Sequence, residues 1–200
     1  MKFFSGFDMT RIFINGDENI MTRLWERIDP LDQKILLQIQ SIRSPLLNLI
    51  FKGITHSATG PAWWSTAILL NVLNFNSINF VSQQTSVLRA FYGPLLTWVL
   101  GTFLQKRIAR LRPSEEIAGY KRLLIPPSRY SFPSIHTASS FSFFIAFLLI
   151  QHPLAPMVGI WACFVSFSRL YLGVHYLSDI IGGLILGLFC TFVLSLIGFL

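Results

Sequence analysis

Residues 130–200 read YSFPSIHTASSFSFFIAFLLIQHPLAPMVGIWACFVSFSRLYLGVHYLSDIIGGLILGLFCTFVLSLIGFL. These 71 residues carry two charges, Arg169 and Asp179. A second stretch, residues 53–88, has none. A soluble domain covers every element with charged side chains, so these segments exclude a soluble globular fold and point to lipid as their solvent. The whole chain agrees: of 200 residues 12% are charged, against about 25% for soluble domains, and 52% are hydrophobic. The same numbers exclude a disordered chain. The net charge of +7 calls for an anionic partner. Nucleic acid does not fit, because no basic stripe lies on a soluble module. Cys163 and Cys190 both fall in apolar runs and read as packing residues.

Working outward from that stretch, the fold expected is an all-α integral membrane protein, a bundle of about five transmembrane helices plus an N-terminal interfacial helix. The spans fall at about residues 61–80, 86–104, 136–152, 154–171 and 178–199. The first opens on Trp63 and Trp64, an interface pair. The last contains Gly182, Gly183 and Gly187, a spacing of small residues that suits close helix packing. Residues 1–60 form a charged N-terminal segment with no signal-peptide core. Within it residues 31–55 have helical spacing and suit either an amphipathic interfacial helix or a helix packed on other protein, broken at Ser44-Pro45. Residues 61–200 form the transmembrane domain, interrupted by one long polar loop, 105–135, that carries seven Lys and Arg. Long loops in compact domains tend to be functional.

Counting hairpins places the 105–135 loop, the link at about 170–178 and residues 1–60 on one side of the membrane. Arg112, His136, Arg169, His175 and Asp179 therefore gather at one face. Two guanidiniums suggest an oxyanion with several oxygens. Two histidines suggest a nucleophile and a proton donor. Asp179, four residues after His175, would share a helix face with it and hold its imidazole. The plainer alternative, an Arg169–Asp179 structural pair, leaves both histidines and Arg112 unexplained.

These residues resemble the type 2 phosphatidic acid phosphatase superfamily, whose three motifs are KxxxxxxRP, PSGH and SRxxxxxHxxxD. Ser168, Arg169, His175 and Asp179 match the third in full. Pro133, Ser134 and His136 match the second, and Arg112 with Pro113 the first. The resemblance spans about residues 50–190. It implies a membrane lipid-phosphate phosphatase acting on a phosphomonoester or pyrophosphate of a phospholipid or polyprenyl lipid, without metal or cofactor. It also implies the roles. His175 attacks phosphorus, Asp179 orients it, and His136 protonates the leaving oxygen and then activates water. Arg112, Arg169 and Ser134 hold the phosphate.

Two positions depart from the motifs. The first-motif lysine is Gln105, with Lys106 one place late; of the two, Lys106 is the expected phosphate ligand. The second-motif glycine is Ile135, whose backbone N–H can still reach phosphate but whose bulk is expected to narrow the mouth. These departures motivate a non-catalytic lipid-binding protein as an alternative, beside a lipid phosphotransferase using the same phosphohistidine. Phe141, Phe144 and Trp161 read either as a tail groove or as ordinary membrane aromatics. The expected partners are a lipid phosphate and the surrounding membrane lipids. Fifteen of the sixteen Lys and Arg fall on the active-site side, Arg89 being the exception. The positive-inside rule then places the site on the cytoplasmic face, in a bacterial inner membrane.

Overall fold

The computed structural model describes residues 18–60, 62, 65 and 89–199. They form seven helices: α1 (Glu18–Ser41), α2 (Pro45–Ser57), α3 (Tyr92–Ile108), α4 (Pro113–Glu116), α5 (Ile135–Leu149), α6 (Ala155–Tyr171) and α7 (Leu177–Leu196). The expected span at 61–80 lies outside the described residues. Helices α3, α5, α6 and α7 lie at the other four, with α3 displaced toward the C-terminus of its expected range.

The N-terminal segment breaks where expected. Ser44 is extended, its hydroxyl accepts from Leu47 N, and Pro45 opens α2 with the φ a first helical turn needs. Arg43, in the hinge, donates to Tyr171 O at 3.0 Å, Lys121 O at 2.7 Å and the Tyr120 hydroxyl at 2.9 Å. Phe51 of α2 stacks on Tyr171 of α6, centroids 4.5 Å apart. The two N-terminal helices are thus fastened to the bundle while Leu31, Leu46 and Leu49 stay exposed on them.

Helix α5 is central and touches α3, α6 and α7. Its buried positions are mostly small or hydroxylic: Thr137, Ala138, Ser139, Ser140, Ser142 and Ala146, with Phe143 and Phe147. The hydroxyls pair across helices, Thr97 with Ser139 at 2.9 Å and Ser142 with Thr191 at 2.7 Å. Large apolar side chains point outward instead: Trp98 and Phe103 on α3, Ile160 and Phe164 on α6, Ile185 and Phe192 on α7, each more than half exposed. Small residues inside and large apolar ones outside is the profile of helices packed in lipid, where burial of apolar surface does not drive association and close backbone approach does. Helix α7, at 20 residues and mean hydropathy 2.1, is long and apolar enough to cross. At 1.5 Å per residue it spans about 30 Å, the thickness of a hydrocarbon core. Helices α3, α5 and α6 are shorter, at 17, 15 and 17 residues.

The α5–α7 contact depends on two glycines. A Cβ on Gly183 would lie 2.5 Å from Ser134 O, and one on Gly187 2.5 Å from Ala138 O. Gly187→Val should therefore part the helices and lower the thermal unfolding midpoint of the detergent-solubilised protein, by the equivalent of about 1–3 kcal/mol for overpacking. An unchanged midpoint would contradict this crossing.

Candidate active site

Among the described residues, the motif residues meet at one end of the bundle. Helix α3 stops at Ala109, whose left-handed φ of 54° turns the chain back on itself. The loop is then pinned by Ser131 N donating to Arg110 O (2.8 Å) and by a bridge between Leu111 and Tyr130. Arg112 precedes Pro113 and is extended, as a residue before proline prefers. Its guanidinium points inward: Nε donates to Ser128 O and Nη1 to Val174 O, both at 2.6 Å. Nη1 also lies 3.1 Å from His175 Nε2. A guanidinium has only donors. Nε2 therefore accepts, and the ring proton sits on Nδ1.

Asp179 stands beside Nδ1, its Oδ2 3.4 Å away, within ion-pair reach but outside hydrogen-bonding geometry. The expected shared helix face is not how they meet, because α7 begins only at Leu177. Asp179 is instead the third residue of the first turn and reaches back in a capping box. Its Oδ2 accepts from Tyr176 N at 2.9 Å, which draws His175 in beside it. Burial, with the charges of Arg112 and then Arg169, holds the His175 imidazole well below its ordinary pKa. Burial also lowers Arg112, to about 10, so it stays cationic at neutral pH.

Arg169 lies in the last turn of α6 and is buried. Its Nη1 donates to Thr55 Oγ1 of α2 at 2.5 Å, while its Nε has no hydrogen-bond partner among the described residues. It does not form the ion pair with Asp179 weighed as the plain alternative; that pair is made by Arg110. His136, the second residue of α5, is half-buried and feels the charges of Arg169, His175 and Arg112. Ser134 precedes α5 without capping it by its side chain, so the first-turn N–H groups of α5, including those of Ile135 and His136, form a helix N-terminus suited to an anion.

Three expectations need correction. Lys106 is exposed, about 100° around α3 from Gln105, and makes none of the cluster's contacts. Gln105 is buried, and its amide donates to Pro133 O at 3.0 Å, at the start of the second motif. Ile135 does not crowd the mouth. Its side chain leans on Gly101 of α3, where Ile135 Cγ1 would lie 2.9 Å from an added Cβ, so a glycine on α3 makes room for it. Of the aromatic trio, Phe144 covers Gly159 and Trp161 donates to Ser57 Oγ at 2.8 Å.

Sequence reasoning passed over Arg110. Its Nη1 donates to Asp179 Oδ1 (2.8 Å) and Ser178 Oγ (2.6 Å), and its Nη2 to Asp29 Oδ1 (2.7 Å) and Asp32 Oδ2 (2.8 Å). The guanidinium lies between the rings of Trp25 and Tyr176, at 4.3 and 4.1 Å. A signal was present: Arg110 and Arg112 alternate in a non-helical stretch, and Asp29 and Asp32 fall at helical spacing behind Trp25.

The position of His175 makes one expectation directly measurable. Burial and two neighbouring cations disfavour the imidazolium, which moves the midpoint down. Histidine NMR, with His175→Gln to assign the signal, should find the ring neutral at and below the ordinary value of about 6.5. A midpoint at or above that value would contradict the geometry.

The sequence model of the PAP2 superfamily matches residues 86–199. Phosphatidylglycerophosphatase B of Bacillus subtilis is 30% identical over 181 residues, covering 82% of this chain and 81% of that protein. Lipid A 4'-phosphatase of Bacteroides thetaiotaomicron is 27% identical over 169 residues, covering 81% and 74%. The crystal structure of a transmembrane PAP2 type phosphatidylglycerolphosphate phosphatase from Bacillus subtilis matches with a TM-score of 0.69 at 26% identity, covering 89% of this chain and 90% of that one. With its bundle, its three motifs and these relatives in agreement, the chain belongs to the PAP2 superfamily and is an all-α integral membrane phosphatase.

Proposed function

We propose that this enzyme removes phosphate from a membrane lipid, a phosphomonoester or a polyprenyl pyrophosphate, through a phosphohistidine on His175 and without a metal ion. The observation that carries this reading is the unprotonated Nε2 of His175, held 3.1 Å from Arg112 with Asp179 behind Nδ1. As Arg112 Nη1 turns from Nε2 to the phosphoryl oxygens, the freed Nε2 lone pair attacks phosphorus, and the bond to the leaving oxygen breaks as the new P–N bond forms. Asp179 stabilises the positive charge that develops on the ring. Arg112, Arg169 and the N–H groups at the start of α5 take up the charge on the phosphoryl oxygens, with Ser134 beside them. His136 gives a proton to the leaving oxygen, then removes one from the water that hydrolyses the P–N bond.

The lipid assignment is supported by the setting. The cluster lies at the end of helices whose outer surfaces are apolar, so a phosphate can enter while its chain remains in lipid. The relatives' names, phosphatidylglycerophosphatase and lipid A 4'-phosphatase, also describe phosphates on lipids. The loop between α3 and α5 is short for a cap that recognises an elaborate head group, which favours a simple one.

Two measurements test this. In EDTA, phosphate release from a panel of short-chain phosphatidic acid, phosphatidylglycerophosphate and farnesyl pyrophosphate should proceed. His175→Ala and His136→Ala should each lose at least a hundred-fold in kcat, within the range general acid–base and nucleophilic groups supply. Activity persisting in His175→Ala rejects the phosphohistidine. The cation distribution further supports a site on the cytoplasmic face of a bacterial inner membrane. A cysteine at Ile125, which is 84% exposed in the loop, in a variant lacking Cys163 and Cys190, should escape an impermeant maleimide in intact cells and react once they are opened. Labelling in intact cells reverses the orientation.

A further inference from the structure

Helix α1 lies outside the residues matched by the family, 86–199, yet two of its side chains bind Arg110, the cation paired with Asp179. The Asp179 carboxylate is divided: Oδ1 accepts from Arg110 and Ser131, and Oδ2 accepts from Tyr176 N with His175 Nδ1 3.4 Å away. Alone, Arg110 would neutralise Asp179 and leave little negative charge for the imidazole. Its second nitrogen, however, is bound by Asp29 and Asp32. One guanidinium among three carboxylates leaves two negative charges in the cluster. Asp32 also grips the first turn of α7 directly. Its Oδ1 accepts from Ser178 N at 3.0 Å, and its Oδ2 accepts from the Ser178 hydroxyl. Asp32 and Arg110 are almost wholly buried, Asp29 less so, and the Trp25 and Tyr176 rings close over the guanidinium.

Burying four charged groups costs desolvation that apolar packing would avoid. A mere fastening of α1 to α7 does not call for them, and they sit one hydrogen bond from the residue that orients His175. We propose that Asp32 and Asp29 of α1 are positioning residues for the reaction: through Arg110 they fix the orientation of the Asp179 carboxylate and preserve its charge for His175. The inference rests on the phosphohistidine reading. It makes the N-terminal segment part of the catalytic apparatus as well as an attachment to the membrane surface.

The test is kinetic, on the full-length solubilised protein with short-chain phosphatidic acid. Asp32→Asn keeps the shape and removes one charge. It should lower kcat at least ten-fold with KM within two-fold, because the phosphate ligands Arg112 and Arg169 are untouched. The charged groups facing His175 are Arg110 and Arg112 from the loop, His136 from α5, Arg169 from α6 and Asp179 from α7. Removing a negative charge behind them makes the imidazolium still less favourable, so the acid limb of kcat/KM should move to lower pH. A purely structural role would lower kcat/KM without moving that limb. Asp29→Asn, at the cluster's outer edge, should act in the same direction with at least a three-fold loss, and it decides the matter alone if Asp32→Asn does not fold. Wild-type kcat in the folded variants, or a loss with an unmoved acid limb, overturns the proposal. His175→Ala, measured alongside, separates the two failures: activity there rejects the phosphohistidine itself, whereas its loss together with wild-type behaviour of the α1 variants rejects only the role of α1.

Discussion

The Asp179 carboxylate is the contact on which the site converges. It is fully buried, and a buried carboxylate persists as an anion only when its oxygens are occupied. Three hydrogen-bond donors occupy them, Arg110, Ser131 and Tyr176 N, with the His175 ring 3.4 Å away. Each arrives on a different piece of chain. Arg110 and Ser131 bracket the long loop, Tyr176 ends the α6–α7 link, and Asp179 opens α7. Satisfying one charge therefore draws the ends of the bundle together, and Arg112 and Arg169 are carried in with them.

That convergence needs a backbone arrangement that large side chains would prevent. Gly183 and Gly187 let α7 lie directly against the carbonyls of Ser134 and Ala138. Ser134 N then donates to Asp179 O at 3.0 Å, which fixes the start of α5 against the start of α7. The first-turn N–H groups of α5, the His136 ring and the His175–Asp179 pair thus share one location because two helices cross at van der Waals distance. The hydroxyl pairs Thr97–Ser139 and Ser142–Thr191 extend the same economy deeper into the bundle, holding helices together where lipid outside supplies no hydrophobic drive.

The two motif departures illustrate how a linear motif is read differently by a packed structure. Glycine at position 135 is absent, but Gly101 on α3 offers the space that Ile135 fills. Lysine at position 105 is absent, and Gln105 turns its amide to Pro133 O. In both cases the side chain packs or bonds within residues 133–136 and α3, and the cations that act most on His175 are Arg112 and Arg169.

The sequence by itself determined the membrane class, the break at Ser44-Pro45, four of the helices and the end of the bundle at which the motif residues meet. Those features follow from the spacing of apolar residues, from proline and from counting hairpins, all of which are local or additive along the chain. Only the tertiary structure decided that His175 and Asp179 meet through a capping box, that Lys106 points outward, and that Arg110 joins Asp29 and Asp32 to Asp179. A charge reads the same in a sequence whether it faces water or three carboxylates. Its partner here lies 69 to 81 residues away along the chain, and only the closing of α1, the loop and α7 around it makes the burial of that charge tolerable.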